Sequence, residues 1–172
     1  DSENGYVLVQ RSSVAHDMLD VSITFANTVE VPGKIVFAHT HHNLVVIKYD
    51  TLSIVADIQP NVYSKTPLKQ GEKCLLIGTS TTSSVLVKEV TISGLSEQTT
   101  ICDCEDYIDL AIFKMDPNPA GVKGIVCDYD GTIRGIWEPS PFYTDYSGAG
   151  YGTDITDLKY LTDRFKSHES PS

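Results

Sequence analysis

Apolar side chains alternate with polar ones along much of this chain. Residues 21–25 (Val-Ser-Ile-Thr-Phe) carry a strict period of two, the mark of a strand with one buried face, and residues 85–92 repeat it. Residues 44–49 are apolar almost throughout, which predicts a central strand. Shorter apolar runs at 5–9, 28–37, 74–77, 108–115, 124–127 and 132–137 predict six more, with Pro32-Gly33 punctuating the second of them. Turn signals recur roughly every ten residues, the spacing of an all-β sandwich or barrel. Only residues 154–165 depart from this pattern. Ile155, Leu158, Leu161 and Phe165 have helical spacing, with Thr156 or Asp154 as the N-cap. The expectation is ten or more strands closed by one short C-terminal helix, with residues 166–172 as a frayed tail. Residues 139–152, rich in Pro, Gly, Ser and Tyr, form the expected recognition loop.

Composition narrows the class. The chain has 172 residues, 41% of them hydrophobic, enough to pack a core, and no internal repeat or interdomain linker is visible, so 1–172 reads as a single domain. Thirteen Lys and Arg against 23 Asp and Glu give a formal net charge of -10. That charge, without any run of basic residues, argues against nucleic acid and anionic membranes as partners. The apolar runs are also far below the ~20 residues a membrane span needs. The chain opens with Asp1 and not Met, which suggests a fragment or a processed form.

Three clusters invite chemical readings. Asp128-Tyr-Asp130-Gly-Thr132 follows an apolar run and resembles the first motif of haloacid-dehalogenase-type phosphatases, in which the first Asp is the nucleophile and the second the general acid. The 40 residues that follow do not read as the βα units such an enzyme needs. Asp130-Gly131 is itself a hairpin signal, so a turn is the plainer reading. His39, His41 and His42 share a short segment that could hold a metal, but no further ligand lies at a fitting spacing, and an exposed loop is expected there. Cys102-Asp-Cys104-Glu-Asp106 reads as an acidic surface turn, and Cys74 and Cys127 as buried free thiols, which points to a reducing compartment. No cofactor or metal is expected.

The order of segments resembles one family. Gly5-Tyr-Val-Leu-Val-Gln-Arg-Ser12-Ser-Val14 is similar to the segment of HtrA-type, trypsin-like proteases that reads Gly-Tyr-x-Val-Thr-Asn-x-His-Val-Val. Asn43-Leu-Val-Val-Ile matches the segment in which Asp precedes a short apolar run. Leu68-Lys-Gln-Gly71-Glu-Lys-Cys-Leu-Leu-Ile-Gly78 matches Leu-x-x-Gly-Asp-x-Val-x-x-Ile-Gly. Ala120-Gly-Val-Lys-Gly124 falls where the family has Gly-Asn-Ser-Gly, and residues 151–158 resemble its late strand entering the terminal helix. The resemblance implies a chymotrypsin/trypsin-like double β-barrel with a short C-terminal helix, two six-stranded barrels dividing near residues 60–67, and an interbarrel cleft.

Carried over by position, the triad is absent. The general base falls on Ser12, the orienting acid on Asn43, and the nucleophile on Val122 or Lys123. None can perform the matching step of Ser-His-Asp chemistry, and His16 is displaced by four residues from the position of the base. A Lys at the nucleophile position is expected to pair with Asp128 or Asp116. Such a pattern resembles the degenerate second protease-like half of fungal nuclear HtrA-like proteases. The resemblance implies a nuclear, or nuclear and cytoplasmic, apoptosis-linked parent protease, with neighbouring protease and PDZ domains as partners of this unit. The function that follows is a catalytically inactive domain with a structural or regulatory role. Two alternatives of other classes stand beside it. One is an active hydrolase, a rearranged serine protease using Ser12 or Ser147 or a phosphatase using Asp128 and Asp130. The other is a peptide-binding module using the retained cleft.

Overall fold

The computed structural model describes residues 4–11, 14, 20–25, 29–39, 44–54, 61–80, 82, 84–103, 106–119, 121–139 and 150–158, with the side chains of 10, 39, 96–103 and 106–111 excepted. These residues form ten strands and two short helical segments. The chain divides into two compact units, Asp1–Asn61 and Val62–Ser172.

The first unit holds β1 (Tyr6–Gln10), β2 (Val21–Phe25), β3 (Val29–His39) and β4 (Leu44–Tyr49), ordered β1-β4-β3-β2 with all neighbours antiparallel. β4 is central, which is why Leu44, Val45, Val46 and Ile47 are all buried. Pro32-Gly33 does not break the chain. It lies inside β3, at the point where the strand passes from one partner to the other. Val29 to Gly33 pair with β2, and Gly33 to His39 pair with β4. Gly33 pairs on both sides, and a Cβ there would stand 2.6 Å from Ile47 Cγ2, so only glycine fits this corner. The four described strands form a sheet and not the six-stranded closed barrel expected; residues 12–13, 15–19, 26–28, 40–43 and 55–60 lie outside the described set.

The second unit is a closed six-stranded barrel in the order β10-β7-β6-β5-β8-β9. Its strands are β5 (Lys73–Ser80), β6 (Val85–Asp103), β7 (Asp106–Asp116), β8 (Val122–Cys127), β9 (Ile133–Pro139) and β10 (Gly150–Asp154). Period-two alternation turns Cys74, Leu76, Val90, Ile92, Phe113, Met115, Val122, Val126 and Trp137 into one core. Phe113 and Trp137 meet with ring centroids 5.9 Å apart. The two rings fill space that three glycines vacate. A Cβ on Gly152 would lie 2.1 Å from Phe113 Cζ, one on Gly135 2.7 Å from Phe113 Cε1, and one on Gly150 2.4 Å from Trp137 Cζ2.

Helical backbone begins at residue 155, and residues 159–172, with the rest of the expected helix and tail, lie outside the described set. Asp154 is the cap. Its Oδ1 accepts from Thr156 N–H (2.8 Å) and Thr156 Oγ1 (2.7 Å), and its Oδ2 accepts from Leu68 N–H (2.8 Å), which ties the helix start to the chain before β5. No helix among the described residues is long and apolar enough to cross a membrane.

Candidate functional site

The segment that enters β8 is the place to look for a nucleophile. Pro119 and Val122 close a tight turn, Val122 N–H donating to Pro119 C=O (3.2 Å), and Gly121 supplies the positive φ (+68°) its third position needs. Beyond the turn, Gly124 opposes Gly78 of β5, and the two backbones lie so close that a Cβ on Gly78 would stand 2.3 Å from Lys123 C=O. Strand alternation then decides the side chains. Val122 points into the barrel core and is 6% exposed, whereas Lys123, opposite Thr79, is exposed to solvent. Lys123 forms no ion pair among the described residues. The expected partner Asp128 is bound to Arg134, so the predicted Lys123–Asp128 pair does not form, and no Lys123–Asp116 pair replaces it.

Arg134, with 7% of its side chain exposed, is one of two charged residues buried in this unit among the described residues, the other being Glu138. It projects from β9 and donates four hydrogen bonds. Nη1 reaches Glu72 Oε1 (2.7 Å) and Asp128 Oδ1 (2.9 Å); Nη2 reaches Glu72 Oε2 (3.1 Å) and Pro67 C=O (3.2 Å). Two segments distant in sequence converge on it. One is the turn before β5, where Glu72 N–H donates to Lys69 C=O and Gly71 has φ +81°. The other is the β8–β9 hairpin. Burial alone would push the Glu72 carboxyl up. The hydrogen bonds from Arg134 and from Lys69 N–H (2.9 Å), with the charge of Arg134, outweigh burial and hold it below the usual carboxylate range.

Asp128 and Asp130 sit in the hairpin turn that the sequence allows. Asp128 N–H donates to Thr132 C=O (2.9 Å), Gly131 N–H to Asp128 C=O (3.0 Å), and Gly131 has φ +89°. Asp130 Oδ1 accepts from Thr132 N–H (2.9 Å). The strands on either side are antiparallel, so this is not the strand-to-helix crossover of a phosphatase site. Cys74 and Cys127 are buried free thiols; burial, and then the nearby Glu72 charge, push Cys74 up to about 11. Among the described residues no three His, Cys, Asp or Glu gather to hold a metal. The expected acidic turn falls on residues 104–105, which with the side chain of Cys102 lie outside the described set. His41, His42, Ser12, His16, Asn43 and Ser147 also fall outside it, as do 140–149 of the expected recognition loop.

The chain matches no established family profile. It matches curated yeast proteins along its whole length. It is 31% identical over 192 residues to the pro-apoptotic serine protease NMA111 of Debaryomyces hansenii, and 37% identical over 181 residues to the protein of the same name in Vanderwaltozyma polyspora, each alignment covering 99% of this chain. The chain is homologous to one segment of the NMA111 serine proteases. It spans 18% of the length of these relatives. Its fold is that of an HtrA-type, trypsin-like protease domain. The HtrA-type protease AlgW, solved with a decapeptide, superposes with a TM-score of 0.70 at 18% identity, over 96% of this chain and 49% of that one. In this NMA111-like segment the Gly71 turn and the Gly78–Gly124 contact give physical reasons for the glycines that the family likeness rests on. Arg134, which joins the turn before β5 to the β8–β9 hairpin, escapes a reading of the sequence because its carboxylate partners lie 62 and 6 residues away. The available signal is an Arg set among Ile133, Ile136 and Trp137 in β9.

Proposed function

We propose that this chain is a catalytically inactive protease-fold unit with a structural or regulatory role inside a longer HtrA-type serine protease. One observation carries the reading. At the start of β8 the side chain of Val122 is packed in the barrel core, and its N–H, which an active centre would aim at the oxyanion, donates to Pro119 C=O. Lys123, the other residue at that position, is an exposed ammonium and not a hydroxyl. Ser12 and Asn43, at the matched positions of base and acid, supply neither proton acceptor nor negative charge. On this reading the parent chain is a serine endopeptidase whose chemistry resides in another unit, with nuclear and cytoplasmic residence, a role in apoptosis, and neighbouring protease and PDZ domains as partners.

The test is turnover of denatured casein by the purified 172-residue chain, beside a Lys123→Ser variant and a Ser12→His, Asn43→Asp, Lys123→Ser triple variant. Loss of one triad member already reduces such enzymes to roughly 10³–10⁴-fold acceleration over water. The unmodified chain and the single variant are therefore expected to be silent. Turnover by the unmodified chain that survives further purification and is stopped by a serine-directed inhibitor overturns the proposal.

A further inference from the structure

The outer face of the second unit carries an apolar strip. Leu86, Leu76, Val126 and Trp137 pack into the barrel core, so strand alternation turns their neighbours Val87, Ile77, Ile125 and Ile136 outward. These four are register partners in one row: Val87 of β6 opposes Ile77 of β5, Ile77 opposes Ile125 of β8, and Ile125 opposes Ile136 of β9. The three isoleucines are half-buried between their neighbours, whereas Val87 is 64% exposed. Val85, 75% exposed and on the same side of β6, widens the strip at that end. Cross-strand packing of β-branched residues accounts for the isoleucines. It does not account for Val85 and Val87, whose side chains stay mostly in water.

Shape and charge say what fits there. The strip crosses four strands, so it is about 15 Å long, the length of roughly ten residues of helix. The backbones of β5 and β8 are paired on both sides, so an added strand finds nothing to bond with. At about 10 Å wide the strip presents on the order of 150 Å², far below the ~800 Å² per partner of a stable dimer. A long, narrow apolar strip instead matches the stripe of one amphipathic helix. Its two flanks differ in charge. Beyond the Glu89–Leu75–Cys127 row lies the β8–β9 hairpin, whose Tyr129 reaches across to donate to Glu89 Oε2. On this flank Lys73 offsets Glu89 (3.2 Å) and Arg134 offsets Asp128, while Asp130 is held below the usual carboxylate range by its hydrogen bonds from Thr132. The opposite flank carries Thr79 and exposed Lys123. Lys88 has the parity of Leu86 and Val90 and leaves β6 on the other side.

We propose that this strip docks the apolar stripe of an amphipathic helix from a protein partner, with the helix's cations toward Asp130 and its anions toward Lys123. The surface stands whether or not the β8 turn is catalytic. The experiment is fluorescence anisotropy of a fluorescein-labelled tetradecapeptide, titrated with the 172-residue chain. The peptide carries a leucine stripe with Lys along one side and Glu along the other. A peptide of the same composition with the stripe scrambled is the first control, and one with Lys and Glu exchanged is the second. Val85→Ser with Val87→Ser is expected to weaken binding about tenfold, since two exposed valines lose their apolar contact. Leu52→Ser, which removes an exposed apolar residue of the first unit, is expected to leave binding unchanged. The exchanged peptide is expected to bind more weakly than the first, by a margin that salt removes. Near-ultraviolet circular dichroism checks that each variant keeps the fold, and sedimentation equilibrium of the chain alone is expected to give a monomer. Equal binding of the scrambled or exchanged peptide, binding unaffected by the double Ser substitution in a folded variant, or a dimer that this substitution dissociates overturns the proposal.

Discussion

Replacing Arg134 by methionine removes the guanidinium and leaves two carboxylates facing a hydrophobe. Breaking a buried ion pair by deleting one partner costs about 3–5 kcal/mol when the remaining charge stays dry. Glu72 and Asp128 keep 27% and 33% of their side-chain exposure, so water re-solvates them in the variant. The expected loss is therefore lower, about 2–3 kcal/mol. For a chain of this size that is a fall in Tm of about 5–10 °C. Trp137 is the single tryptophan and lies fully buried in the same barrel, so its fluorescence reports the unfolding of the unit that holds Arg134. The pH dependence adds a second readout. The Glu72 pKa is depressed in the folded chain, so its contribution is present above the unfolded carboxylate pKa near ~4.3 and is lost as pH falls through the folded value. The parent is expected to lose stability steeply below about pH 4, and Arg134→Met to show a flatter slope there because its Glu72 is no longer depressed. Urea unfolding followed by Trp137 emission at pH 7 and pH 3.5 measures both. A variant within about 0.5 kcal/mol of the parent at pH 7, with an unchanged acid slope, would refute the reasoning.

Gly152→Ala places a Cβ 2.1 Å from Phe113 Cζ. It is expected to lower stability by about 3 kcal/mol or more, read as a lower urea midpoint. Gly131→Ala meets no atom within 4 Å but keeps φ +89°, so the same measurement should show only about 1–2 kcal/mol, from backbone strain alone. Iodoacetamide at pH 8 should leave Cys74 and Cys127 unmodified in the native chain and label both in urea, as peptide mapping would record; native labelling of either would contradict their burial.

Much of the strand pattern is legible in the sequence because alternation and burial coincide. β2 and β4 appear where period-two and continuous apolar runs predict them, and the Asp130-Gly131 signal makes the hairpin. The misses have physical causes. Apolar alternation marks β6 only to Ile92, yet the strand runs to Asp103 because β7 pairs with it over that whole length. Pro32-Gly33 reads as a break but serves as a corner, since no β4 residue opposes Pro32 and Gly33 alone must fit between two partners. The expected Lys123–Asp128 pair fails because Arg134 already holds Asp128, a competition that only the fold reveals. The two positions offered for a nucleophile are separated by strand alternation, one inward and one outward, which the chain order alone leaves open.

The most direct test of the central claim is covalent. The 172-residue chain is incubated with a fluorophosphonate probe at neutral pH and its intact mass is recorded. A unit whose β8 entry carries a core valine and an exposed lysine has no activated hydroxyl for the probe, so the mass should be unchanged, with an active trypsin-like protease labelled in parallel as the positive control. A stoichiometric adduct on a serine of the folded chain, absent after denaturation, would contradict the account.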